Sequence, residues 1–132
     1  MTAKNGKQRK CLFCLLDEVP LARNRYAYVV RDGHPVTRLH TLIVPYRHVE
    51  TYFELTRHEL VAVQMLLIAQ REAILAEDPT VTGFNIGVNN GTDAGQTIFH
   101  CHVHLIPRRQ GDIENPRGGV RHVIPGAGYY DP

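Results

Sequence analysis

Tryptophan is absent from this 132-residue chain, cysteine occurs at three positions, and no apolar run is long enough to cross a bilayer. Each shortage excludes something. Three cysteines cannot complete a disulfide framework, which argues against a small secreted scaffold and for an intracellular setting. The N-terminus is basic (Lys4, Lys7, Arg9, Lys10). The apolar stretch that follows, Cys11-Leu12-Phe13-Cys14-Leu15-Leu16, is too short and too polar-flanked for the core of a signal peptide. A cytoplasmic protein is expected, with residues 1–9 a disordered tail and residues 10–132 one domain. Excess charge of one sign is lacking too: Lys and Arg total 15 against 13 Asp and Glu, a net +2 with the eight His neutral. That is too weak to suggest nucleic-acid binding by bulk charge. No internal repeat or low-complexity linker interrupts the chain.

What is present is an ordinary globular pattern, large enough to bury roughly two-thirds of the unfolded surface. Arg25 to Val30 looks like a strand, stopped by the turn residues Arg31-Asp32-Gly33-His34-Pro35. Thr41-Leu42-Ile43-Val44 is a short β-branched run closed by Pro45. Thr56-Arg57-His58-Glu59 is a capping box, and the helix it opens should run to about Glu77, because Pro79 disfavours continuing. Leu60, Val63, Leu67 and Ile74 share one face, but Val61, Met65 and Ile68 widen the apolar arc. Such a helix is either buried on two sides or shared with a second subunit. Val81 to Asn89 reads as a strand, Asn90 to Gly95 as a loop rich in residues that tolerate positive φ, and Thr97 to Ile106 as a strand ended by Pro107. The order β–β–α–β–β implies an α+β fold with an antiparallel sheet.

The last strand carries the chemistry. His100, His102 and His104 alternate, so a strand points all three to one face while Cys101, Val103 and Leu105 point to the other. A row of imidazoles has little structural use. It suits metal binding, or attack at phosphorus by a neutral imidazole with a neighbour managing the proton. The preceding turn, Gly91-Thr92-Asp93-Ala94-Gly95-Gln96-Thr97, offers amides and hydroxyls suited to cradling phosphate, which favours the second chemistry. Cys11-x-x-Cys14 by itself is metal-binding, redox-active or incidental. Cys101 should lie in the core as a small hydrophobe.

The run His100-Cys101-His102-Val103-His104-Leu105-Ile106 after Gly95-Gln96-Thr97 resembles the signature of the histidine-triad (HIT) family, and the likeness extends over roughly residues 11 to 125. It is closest in character to the bacterial diadenosine tetraphosphate hydrolase-like branch. The resemblance implies a HIT-like fold: an antiparallel sheet of about five strands with one long helix and short helices. It implies a nucleotide hydrolase or transferase that attacks the α-phosphorus of dinucleoside polyphosphates or AMP conjugates through a covalent nucleotidyl-histidine. His102 then matches the nucleophile. His104 matches a phosphate contact that helps protonate the leaving group, and Gln96, His100 and His40 complete the catalytic set. Asp32, Asn89, Gly95, Gln96 and Thr97 match the nucleotide contacts, with Asp32 on the ribose hydroxyls. One departure is Arg38-Leu39, where a Pro-Gly or Pro-Thr turn is usual; Arg38 is a solvated charge or a reach toward the phosphates.

The same resemblance implies structural zinc on Cys11, Cys14, His48 (in Pro45-Tyr46-Arg47-His48) and His100, two thiolates and two imidazoles in a closed site. Mg²⁺ would accompany a polyphosphate substrate. A homodimer is implied as well, with no nucleic-acid or membrane partner. Arg108, Arg109, Arg117 and Arg121 either clamp distal phosphates or belong to a tail that packs on a partner subunit. Two other functions remain: a nucleotide-binding regulatory module without turnover, and a zinc metallohydrolase that uses the histidine row as ligands.

Overall fold

Alternating apolar positions form four strands around one long helix in the computed structural model, which describes residues 11–131. They are β2 (Ala27–Arg31), β3 (Thr41–Pro45), β4 (Val81–Gly87) and β5 (Val103–Arg109), preceded by a two-residue edge strand, β1 (Ala22–Arg23). The tail expected over residues 1–9 lies outside the described residues. Neighbours pair in the order β1-β2-β3-β5-β4, every pair antiparallel. This is the anticipated α+β architecture.

The helix α1 (Arg57–Glu77) starts where the capping box placed it: the Thr56 side chain accepts from the Glu59 N–H, and Glu59 Oε1 accepts from the Thr56 N–H at 2.8 Å. It ends at Asp78, whose N–H bonds the Ile74 carbonyl, one residue before Pro79. Val63, Leu66, Leu67 and Ile74 of α1 pack on Val29, Ile43, Val103 and Leu105 from the sheet. Alternation sends Tyr28, Val30, Leu42 and Val44 to the opposite face, where Phe13 covers them. The histidines lie on that second face. Cys101 is buried beside Val49 and Leu55.

Three expectations change. The strand proposed from Thr97 begins only at Val103, because β3 pairs with β5 over Thr41–Ile43 alone and β4 ends opposite His104. Upstream of Val103 the segment is extended but lacks flanking strands; the Cys101 N–H bonds Val49 O instead. The strand also runs through Pro107, paired with Phe84. Pro107 lies beyond the pairs with β3, and its carbonyl accepts the Thr37 hydroxyl at 2.7 Å, so its missing N–H costs no ladder bond. Finally, α1 is not buried on two sides: Val61, Met65 and Ile68 are 57%, 59% and 46% exposed.

Residues after β5 fold back beside β4 through a short 3-10 turn, Gly119–Val123. The His122 ring packs on Tyr129 and bonds the Arg117 carbonyl at 2.7 Å. Among the described residues, no helix is long and apolar enough to cross a membrane.

Candidate active site and metal centre

The alternating histidines reach three different surroundings, and backbone groups fix the proton position on each ring. His102 Nδ1 lies 2.8 Å from the His100 carbonyl, which can only accept. Nδ1 therefore carries the hydrogen, and Nε2 of the neutral ring is a bare nitrogen. His100 Nε2 faces the Pro45 carbonyl at 2.8 Å, so its Nδ1 is the bare atom. His40 Nδ1 accepts the Val36 N–H at 3.1 Å, and its Nε2–H points to His104 Nδ1 at 2.9 Å and Asp32 Oδ2 at 3.4 Å. That leaves the His104 hydrogen on Nε2, which is buried and has no hydrogen-bond partner among the described residues. A buried donor of this kind is costly unless a ligand satisfies it.

Burial sets the charge state of these rings. His104 is held down to about 4 by desolvation and by the nearby His102 and His40, with Asp32 pulling the other way. His40 is also lowered by burial, against Asp32. His100 is pushed to about 4 by burial despite its bond to Pro45. The His102 and His104 ring centroids are 5.2 Å apart, so the ring with the bare nitrogen packs against the ring with the unsatisfied N–H.

The loop before the histidines is built as a turn with Gly91 and Gly95 at φ 95° and 92°, conformations that favour glycine. Its interior differs from the phosphate cradle expected from sequence. The Gly95 and Gln96 amides are bonded to Thr92 O and Gly91 O. The Gln96 side chain is buried, accepting from the Gly91 N–H and donating to Glu50 O and Ile98 O. Gln96 is thus placed as a brace of the loop. Thr97 and Asn89 are exposed. Asp32 lies against His40 and His104, with its Oδ1 accepting the His34 N–H.

The guanidinium groups of Arg38, Arg108, Arg109 and Arg121 are already engaged. Arg38 is the solvated charge of the two expected alternatives, its side chain 63% exposed while it pairs with Asp78 and Glu77 at the end of α1, away from the histidines. Arg109 also binds Asp78, Arg108 grips Asp112 through Nε and Nη2 and donates from Nη1 to Asn85 Oδ1, and Arg121 lies over Tyr130 and bonds Gly128 O.

Cys11, Cys14, His48 and His100 converge although three different stretches of chain supply them. Cys11 Sγ and Cys14 Sγ lie 3.3 and 3.5 Å from His100 Nδ1, Cys14 Sγ 3.3 Å from His48 Nδ1, and the two Nδ1 atoms 3.1 Å apart. A tetrahedral zinc ion with ordinary metal–sulfur and metal–nitrogen bonds holds its ligand atoms roughly 3.3–3.8 Å apart. The bare Nδ1 of His100 and the two thiols fit that ion. His48 is presented by Arg47, which binds the capping-box residue Glu59 with two nitrogens at 2.7 and 3.1 Å. Glu59 is buried, which alone would raise it, yet Arg47 and Thr56 hold its carboxyl below the usual range.

Two features escaped the sequence reading. One is this Arg47–Glu59 anchor. The other is Phe13, whose ring lies 5.0 Å from His102. Phe13 also walls an apolar cavity of about 450 Å³ shared with Leu16, Val19, Tyr28 and Tyr46, which none of the histidines lines. An aromatic between two metal-ligand cysteines is the only signal that could have pointed to it.

The HIT domain model matches residues 16–111, starting just after Cys14. A HIT family protein from Bacillus anthracis has a similar structure, with TM-score 0.72 and 33% identity over 79% of this chain and 77% of that one. A zinc-bound histidine triad family protein from Mycobacterium smegmatis has TM-score 0.65 and 32% identity, covering 78% of each chain. AP-4-A phosphorylase from Mycobacterium tuberculosis is 34% identical over 94 residues, 70% of this chain and 47% of that protein. By its signature, its fold and these likenesses, the chain belongs to the HIT family.

Proposed function

We propose that the chain is a nucleotidyl hydrolase or transferase acting at the α-phosphorus of an adenosine-type nucleotide. The observation that carries the reading is the bare Nε2 of His102, set by the Nδ1–H···O bond to His100, on a ring packed against that of His104, whose buried Nε2–H is unsatisfied. His102 Nε2 attacks phosphorus, a P–N bond forms, and the bond from phosphorus to the leaving group breaks. His104 Nε2–H donates to the phosphate or the departing atom, and burial keeps that ring neutral for the task. Water then displaces the imidazole and AMP is released. The relative named for AP-4-A supports a dinucleoside polyphosphate as substrate; AMP conjugates fit the same chemistry.

Zinc, held by Cys11, Cys14, His48 and His100, supplies a closed structural centre. His102 belongs to neither cluster of metal-capable side chains among the described residues, which favours this reading over a metallohydrolase. The exposed Val61, Met65 and Ile68 on α1 and the edge strand β4 support a second copy of the chain as partner.

AMP release from diadenosine tetraphosphate and from adenosine 5′-phosphoramidate tests the reading, with wild type and His102→Ala compared. Release from either substrate that disappears in the variant is expected, along with an acid-labile nucleotidyl adduct on wild type alone. Bound zinc should persist in His102→Ala and vanish in Cys14→Ser. Tight AMP binding without release would leave a binding module, and zinc lost with His102 would leave a metallohydrolase.

A further inference from the structure

Phe13 is held as a wedge between the metal centre and the nucleophile. It is 6% exposed, whereas Leu12 and Leu15 in the same turn are 59% and 53% exposed. It lies between the two cysteines of the cluster, directly before Cys14 and two residues after Cys11, and the turn is closed by the Leu15 N–H on Cys11 O at 3.1 Å. Its carbonyl accepts the Tyr28 hydroxyl at 2.7 Å in the interior of the second face. Its ring then touches two histidines, 5.8 Å from His100, a member of the cluster, and 5.0 Å from His102.

Among the described residues, His102 has one polar tether, the bond from Nδ1 to the His100 carbonyl. A single hydrogen bond aims one edge of an imidazole but leaves its tilt about the bonded direction soft. An in-line attack on phosphorus depends on that tilt, and a displacement near 1 Å can cost about a hundredfold in rate. The Phe13 ring, with its centroid 5.0 Å away, limits it together with the His104 ring at 5.2 Å. We infer that Phe13 is a positioning residue for His102, and that the Cys11–Cys14 turn, closed on zinc, holds it in place.

The inference rests on His102 being the nucleophile, and it assigns the metal centre a task in the reaction beyond fold stability. The ion takes no part in bond making. It fixes both ends of a support: the turn that carries Phe13 and the His100 ring whose carbonyl holds His102. Phe13 does not touch the reacting phosphorus in this account, so its removal should act on kcat.

Four samples test it: zinc-loaded wild type, wild type stripped of zinc under reducing conditions, Phe13→Ala and Phe13→Leu. Each is measured for bound zinc by atomic emission, for the His102 ring-proton resonances, and for kcat and KM on diadenosine tetraphosphate. Phe13→Ala should keep its zinc, shift the His102 resonances and lower kcat by about tenfold or more. Stripping wild type should shift the same resonances and lower kcat, and stripping Phe13→Ala should lower kcat by a smaller factor, because the Phe13 wall is already gone and only the His100 end is freed. Phe13→Leu, which keeps apolar bulk, should fold, hold zinc and recover part of kcat. It carries the test if the alanine variant fails to fold. Unmoved His102 resonances in stripped protein and in both variants would overturn the inference. So would a loss confined to KM, which would make Phe13 a wall of the neighbouring cavity instead. If wild type releases no AMP, the functional reading fails, while the resonances still report whether zinc and Phe13 set the ring.

Discussion

Desolvation and the imidazoles of His102 and His40 push His104 to about 4, while an imidazole in the unfolded chain titrates near 6.5. The unfolded state therefore binds the proton first as the solution is acidified, and protonation favours unfolding. Stability from keeping His104 neutral is fully present at pH 7, declines below about 6.5 and is gone near pH 4, a change on the order of 3 kcal/mol. Urea midpoints measured between pH 7 and 4 should fall, and should fall less steeply in His104→Gln. An equal slope in both would mean that other groups carry the acid sensitivity. The histidine row and the Cys-x-x-Cys pair were legible as residues, since alternation and short spacing are local, whereas the nucleophile role of His102 and the addition of His48 and His100 to the cysteines came from the family resemblance. The placements of Gln96 and Asp32 were not: whether an amide braces a loop or faces a ligand depends on Glu50 and Ile98 carbonyls that the fold brings to it.

At the level of elements, the N-terminus of α1 does more than start a helix. Glu59 completes the capping box and at the same time binds Arg47, the residue before His48. Removing the guanidinium leaves a carboxylate with 5% side-chain exposure whose remaining partner among the described residues is Thr56. Arg47→Ala should therefore lose about 2 kcal/mol in urea denaturation, and should bind zinc more weakly because His48 loses its anchor. Unchanged stability would show that water reaches Glu59 in the variant. The helix bounds were readable from Thr56, Glu59 and Pro79 because caps and breakers act within a turn or two. The edge strand β1 has too few residues to show a period. The segment from Thr97 to Cys101 shows the period of a strand yet lacks one, because pairing partners are decided by the sheet and not by the segment.

Taken whole, the chain divides its work between two faces of one sheet. α1 covers one face and builds the core, while the other carries the histidines, the Cys/His cluster and Phe13. The apolar side chains of α1 that the sheet does not cover, Val61, Met65 and Ile68, form a stripe at helical spacing. If a second copy covers it, Met65→Glu should shift the mass in solution from dimer to monomer, read by light scattering at matched concentration. A monomeric wild type would remove the stripe from the account of assembly.

By itself the sequence determined the fold class, the long helix with its ends, and the alternating row of histidines, since these follow from periodicity and capping chemistry, while the grouping of His48 and His100 with the two cysteines came from the family resemblance. Only the tertiary structure decided how the histidines divide. His100 is drawn to the cysteines, His104 to His40 and Asp32, and His102 is left between them with Phe13 against its ring. The physical reason is that tautomer, burial and packing are set by groups far away in sequence. Pro45 O, Val36 N and residue 13 reach these rings only after the strands have paired.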